Sequence, residues 1–97
     1  MYAVKYEKQA VKQLKKMDRF QAKIITEWVK KHLDGTDNPR MYGKSLSDEN
    51  LGEWRYRVGD YRILAEISDK EILIRVLTIG HRRSVYKTRQ AGGSRYE

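Results

Sequence analysis

The chain has 97 residues, a net charge of +8, no cysteine, 39% apolar residues and 35% charged residues. That length argues one domain, the apolar share is too high for a disordered chain, and the lack of cysteine excludes disulfides and thiolate-held metal. The excess of cations calls for an anionic partner, be it nucleic acid, an acidic protein or a membrane surface.

Met1-Tyr2-Ala3-Val4-Lys5 lacks the apolar run of a signal peptide. No segment has the length needed to span a bilayer, so a cytoplasmic protein is expected. Tyr2, Val4 and Tyr6 alternate and predict an opening strand. From Glu7 to Met17 the period changes: Ala10, Leu14 and Met17 recur on one helical face, with Lys8, Lys12, Lys15 and Lys16 elsewhere. Asp18 has the chemistry of an N-cap for a second helix. Phe20, Ile24, Ile25, Trp28 and Leu33 form its expected apolar stripe, and Gly35 its stop. With almost nothing between them, the two helices read as an αα-hairpin.

Residues 35–52 are rich in turn formers, Gly35, Asn38, Pro39, Gly43, Ser45, Ser47, Asp48, Asn50 and Gly52 among them. This connection is long for a compact domain, and such loops are often functional. Three strands follow, at 53–58, 61–68 and 71–79, with Gly59-Asp60 and Asp69-Lys70 as the turns. The last is nearly all apolar and is expected in the centre of the sheet, buried on both faces. The predicted order is βααβββ, an α+β fold with an antiparallel sheet and both helices on one face. The domain is expected to span residues 1–88, with 89–97, containing Gly92-Gly93-Ser94, as a flexible tail.

The chemistry concentrates in two stretches. In the first, Trp54, Tyr56 and Val58 alternate with Arg55 and Arg57, and Arg62 opens the return strand. In the second, Gly80-His81-Arg82-Arg83-Ser84-Val85-Tyr86 ends an apolar strand with cations and a tyrosine, and Lys87 follows. A pair of strand arginines alone is an ordinary solvated feature. Three on a hairpin next to a basic strand exit are a set whose rigid forks match phosphate. Tyr86 is suited to stack on a base or to donate its phenolic proton, and His81 to act as acid or base. His32 and His81 lack metal-ligand spacing. Phosphate-loop, dinucleotide-binding and serine-elbow patterns are absent from the sequence. No metal and no cofactor are expected.

Taken together, the Lys44-x-Leu46 element, the Gly52-x-Trp54 turn, the Arg57-Val58-Gly59-Asp60-Tyr61-Arg62-Ile63 hairpin and Gly80-His81-Arg82-Arg83 before Val85-Tyr86 resemble the RelE/ParE superfamily of toxin–antitoxin toxins. Within it they are most similar to the RelE-type mRNA interferases, over nearly the whole chain. The resemblance implies a RelE-like fold and a metal-independent endoribonuclease that cuts mRNA in the ribosomal A site. It implies as partners an acidic, RelB-like antitoxin and the ribosome with its mRNA, with no membrane. By position it assigns catalytic roles to Arg55, Arg57, Arg62, Arg82, Tyr86 and His81, and RNA contacts to Lys44, Arg83 and Lys87. Some members carry lysine where Arg55 and Arg57 stand, and arginine does not give up its proton at neutral pH. The general base is therefore left open. The rival readings are a ParE-like gyrase poison without nuclease chemistry, and a non-enzymatic RNA- or protein-binding domain.

Overall fold

The protein was analysed as a computed structural model, which describes residues 1–46 and 52–81. In chain order it forms β1 (Ala3–Tyr6), α1 (Lys8–Lys16), α2 (Arg19–His32), β2 (Lys44–Ser45), β3 (Glu53–Val58), β4 (Tyr61–Ser68) and β5 (Leu73–His81). The strands make one sheet in the order β1-β5-β4-β3-β2. Both helices cover one face of it, giving the expected α+β architecture. No helix among the described residues is long and apolar enough to cross a membrane.

Local chemistry sets the element ends. The Asp18 carboxylate accepts from the Gln21 N–H at 3.1 Å and caps α2. Gly35, at φ 85°, ends the α2 exit in the left-handed region, and its N–H donates to the Tyr2 carbonyl. The helix that Asp18 starts buries Ile25, Val29 and Leu33 against Tyr56, Ile63, Ile74 and Val76 of the sheet. From α1, Ala10 enters the same core, and the Gln13 side chain accepts from the Ile79 N–H at 2.6 Å. That bond ties the first helix to β5 where the chain nears the site.

Four features differ from the sequence expectation. Phe20 and Ile24 are 72% and 39% exposed, so the apolar stripe of α2 is Ile25–Val29–Leu33 with Trp28 on its flank. Helical spacing made both sets plausible, and the sheet accommodates only one. The strand buried on both faces is β4 rather than β5: Ile63, Ala65 and Ile67 face the helices, while Arg62 and Leu64 are buried on the other side. The β5 strand lies between β4 and β1, and it pairs with β1 in parallel, so the sheet is mixed. The 35–52 connection holds the short strand β2, antiparallel to β3. Finally, the β4–β5 turn extends past Asp69-Lys70 to Ile72, whose φ of 55° is the left-handed exception among non-glycine described residues.

Candidate functional site

The site begins with the period-two pattern of β3. Trp54, Tyr56 and Val58 are buried toward the helices, so Arg55 and Arg57 stand on the second face. Gly59-Asp60 closes the hairpin in two residues. Gly59 has φ 61° and no positive φ follows at Asp60, the pattern of a type II′ turn. That turn fixes the register Val58↔Tyr61, which places Arg62 directly opposite Arg57. On the other side of β3, β2 places Lys44 directly opposite Arg55. Two cross-strand pairs of like charge thus sit side by side. Such pairs oppose sheet formation, so folding alone does not select them.

Lys44 is delivered by a pinned loop. The Tyr56 hydroxyl donates to the Pro39 carbonyl at 2.7 Å, and the Trp54 indole N–H donates to the Tyr42 carbonyl at 2.6 Å. Between these anchors and β2, Gly43 adopts φ 77°, and a Cβ there would collide with the Arg55 carbonyl. Only glycine lets the chain lie this close to β3. Outside the loop, Arg40 donates to Asp69 at 2.9 Å, Tyr2 donates to the same carboxylate oxygen at 2.7 Å, and the Arg40 guanidinium lies 5.8 Å from the Trp54 ring centre. The bonds from Arg40 and Tyr2 hold the Asp69 carboxyl below its usual range, while the bond to Asp69 raises the Tyr2 phenol. Burial pushes the Tyr56 phenol well above its usual value, so it remains a neutral donor.

The product is a cleft of about 240 Å³ lined by Gly43, Lys44, Arg55, Arg57 and Arg62. Arg57 is exposed and aims its Nε–H back at the Gly59 carbonyl at 3.4 Å, whereas Arg62 is only 8% exposed. A cleft walled by three guanidinium forks and an ammonium suits an oxyanion with several acceptor oxygens, above all a phosphodiester. Its donors are set by strand register before any ligand arrives, which is the condition for strong electrostatic stabilisation.

Of the residues singled out in the sequence, the fold gathers Lys44, Arg55, Arg57 and Arg62. His81 is placed elsewhere. It pairs with Tyr61 across β4–β5, on the sheet face opposite Arg62, and its ring meets that of Tyr61 edge-on at 5.8 Å. Arg82, Arg83, Tyr86 and Lys87 lie outside the described residues, as does the expected boundary at residue 88. Gly43, Tyr42, Pro39 and Arg40 matter to the site and had no individual signal beyond turn chemistry. Gly43 next to Lys44 was the available clue.

The sequence matches, over residues 4–86, the family described as the ParE toxin of type II toxin–antitoxin systems, parDE. No curated protein matches it. Among solved structures, a chain of the toxin–antitoxin complex RelBE2 from Mycobacterium tuberculosis is similar at 28% identity and TM-score 0.69, covering 84% of this chain and 91% of that one. A chain of the RelB–RelE complex from Methanococcus jannaschii is similar at 25% identity and TM-score 0.59, covering 87% and 96%. The isolated RelE toxin of E. coli, at 14% identity, shares the fold at TM-score 0.65 over 95% of this chain and 98% of that chain.

Proposed function

The chain belongs to the ParE toxin family of type II toxin–antitoxin systems, and on that premise we propose that it is an endoribonuclease that cleaves ribosome-bound mRNA. The observation that carries this reading is the convergence of Arg55, Arg57, Arg62 and Lys44 on one cleft. In the proposed reaction the 2′-oxygen of the scissile nucleotide forms a bond to its own 3′-phosphorus, and the bond from phosphorus to the 5′-oxygen breaks. The 2′-hydroxyl loses its proton to the general base, and the departing 5′-oxygen takes a proton from Tyr86. The products are a 2′,3′-cyclic phosphate and a 5′-hydroxyl. Arg57 and Arg62, directly opposed, would hold the two non-bridging oxygens as charge grows on them. Arg55 and Lys44 would seat the flanking phosphate. Arg82 is assigned to the leaving-group side, and Arg83 and Lys87 to the RNA backbone. DNA lacks the 2′-nucleophile, which would confine the chemistry to RNA.

The solved relatives from M. tuberculosis and M. jannaschii are toxin–antitoxin complexes. By analogy an acidic antitoxin segment would neutralise this +8 chain in the cytoplasm, where ribosomes are. Folding on binding lets such a segment cover a large area. The family description favours a second reading, a gyrase poison that cuts nothing itself.

The test is induction in cells followed by mapping of mRNA 5′ ends, with a ribosome-bound message carrying one 2′-deoxy residue at the cut site in vitro. New in-frame 5′ ends, with the deoxy message intact, are expected. DNA breaks without mRNA cleavage would replace this reading by the second one. Arg62→Ala or Arg57→Ala is expected to slow cleavage by about 10²–10³.

A further inference from the structure

The outer face of α1 is the most charged surface that the cleft does not use. Lys8, Lys12, Lys15 and Lys16 are all exposed, and they share one side of the helix because their spacing is three to four residues. Within α1 (Lys8–Lys16, KQAVKQLKK) there is no acidic residue at all. None of the four lysines pairs with an acid among the described residues, whose ion pairs are Met1–Asp37, Arg40–Asp69, Arg75–Glu66 and Arg75–Glu71. Like charges at these spacings disfavour the helix that carries them. A short helix of nine residues has little stability of its own to spare, so the row works against folding.

At the end of this row the chain turns, and Phe20, in the first turn of α2, stands 72% exposed. Arg19 and Lys23 flank it, both exposed. Packing does not explain this phenyl ring, since the core takes Ile25 and Val29 from the other side of the same helix.

We propose that this face is a second RNA-binding surface: the α1 lysine row grips the phosphate backbone of structured RNA, and Phe20 stacks on an unpaired base at its end. Residues four apart on a helix are separated by about 6 Å along the axis, close to the step between successive phosphates of one strand. An acidic protein partner fits less well. Such a partner would need an apolar seam beside the charges, and the outer face of α1 carries lysine and glutamine alone at its exposed positions. Exposed aromatic rings beside cations are the pattern by which unpaired bases are held. The surface lies on the helical side of the sheet and the arginine cleft on the other, so one RNA-containing particle would be held by the first while its message enters the second. The proposal thus rests on the reading of the chain as an RNA-cleaving toxin and extends it to what positions the enzyme.

The experiment uses the full chain and a fluorescein-labelled RNA hairpin with an unpaired loop, titrated at several salt concentrations. The quadruple variant Lys8→Gln, Lys12→Gln, Lys15→Gln, Lys16→Gln keeps helix-forming residues and is expected to fold. If the four lysines contact phosphates, the slope of log affinity against log salt should drop by about 3, from about 0.9 per phosphate contact on a duplex. Phe20→Ser should weaken binding of the looped hairpin several-fold and leave a blunt RNA duplex unaffected. Arg57→Ala, in the cleft, should leave the hairpin's salt slope close to that of the wild type. An unchanged slope in the quadruple variant would overturn the proposal even if the wild type cleaves mRNA. Binding by the wild type to phosphatidylglycerol vesicles with none to the hairpin would overturn it in favour of a membrane. A wild type that fails to cleave but shows the expected slopes would remove the nuclease reading and leave this surface standing.

Discussion

The corner where β2, β3 and β4 meet and the elbow of the helical hairpin are both strongly cationic, yet they are built in opposite ways. At the corner, Arg57 faces Arg62 and Lys44 faces Arg55 through strand register, over a floor of Trp54 and Tyr56 that is 8% and 0% exposed. Aromatic side chains hydrogen-bond the neighbouring loop to that floor. At the elbow, lysines on flexible stems project from exposed helical positions around a Phe20 ring that touches solvent. The contrast separates two uses of positive charge. Forks fixed by register suit the stabilisation of charge at one phosphorus, and mobile ammonium groups suit attraction to a backbone.

The comparison breaks most completely if the floor of the corner is removed. Tyr56 is fully buried and touches the Trp28 ring at a centroid distance of 5.9 Å. Tyr56→Ala is expected to cost about 3–5 kcal/mol, read from urea denaturation. Phe20→Ser, at the elbow, should stay within about 0.5 kcal/mol of the wild type, as exposed substitutions do. Similar losses for the two would mean that the elbow is part of the core after all.

Two glycines sharpen the contrast within the corner itself. Gly43 and Gly59 both have positive φ, 77° and 61°. A Cβ at Gly43 would strike the Arg55 carbonyl, whereas a Cβ at Gly59 would meet nothing within 4 Å. Gly59→Ala should therefore cost only the left-handed strain, about 1–2 kcal/mol. Gly43→Ala adds a backbone collision and must push β2 off β3, so its loss should be larger, and it should carry Lys44 away from the cleft. RNA cleavage should fall in Gly43→Ala by more than its loss of stability at the assay temperature explains. Equal losses in the two variants would show that β2 yields without effort and that its register with β3 does not hold Lys44.

Removing only the hydroxyl, Tyr56→Phe, is a gentler version of the same cut. The Pro39 carbonyl would lose its donor at a buried residue, at about 1–3 kcal/mol. The sheet should survive while the 39–43 loop loosens, seen as faster amide exchange in β2 with β4 unchanged. Exchange that rises equally in both strands would assign the bond to global stability rather than to the loop.

Much of this arrangement was legible in the sequence because β3 announces itself. Trp54-Arg55-Tyr56-Arg57-Val58 alternates without a break, and Gly59-Asp60 can only be a turn, so the meeting of Arg55, Arg57 and Arg62 follows from chain geometry. Resemblance supplied the rest of the site, and four of its residues lie beyond residue 81, outside the described structure. What the sequence hid has physical causes. Two residues of β2 are too few to show a period, and its existence depends on the absence of a side chain at Gly43. The position of β5 could not be read from hydrophobicity, since β4 owes its central place to pairing on both edges, and one of its buried residues is an arginine. Phe20 and Ile24 fit helical spacing as well as Ile25 and Val29 do, and only the sheet decides between the two faces.

The smallest expected effect lies at the outer clamp of the loop, where Asp69 accepts from Arg40 and Tyr2. The two donors lower the Asp69 pKa in the folded protein, so the clamp's contribution is complete above the unfolded carboxyl value, about 3.9. It is lost as pH falls through the lowered folded value, because the unfolded chain then binds the proton more readily. The raised Tyr2 phenol adds nothing in this range, since it is neutral in both states. The Asp69 and Arg40 side chains are 59% and 26% exposed, so water and salt screen the pair. Asp69→Asn should therefore be slightly less stable than wild type near neutrality. Urea midpoints measured from neutral to strongly acidic pH should converge as the wild-type carboxylate is protonated, and added salt should narrow the gap at neutral pH. A gap that persists at the acid end would assign the clamp to hydrogen-bond geometry rather than to charge. The loop would then be held by the same neutral kind of bond as the Tyr56 and Trp54 anchors beneath it.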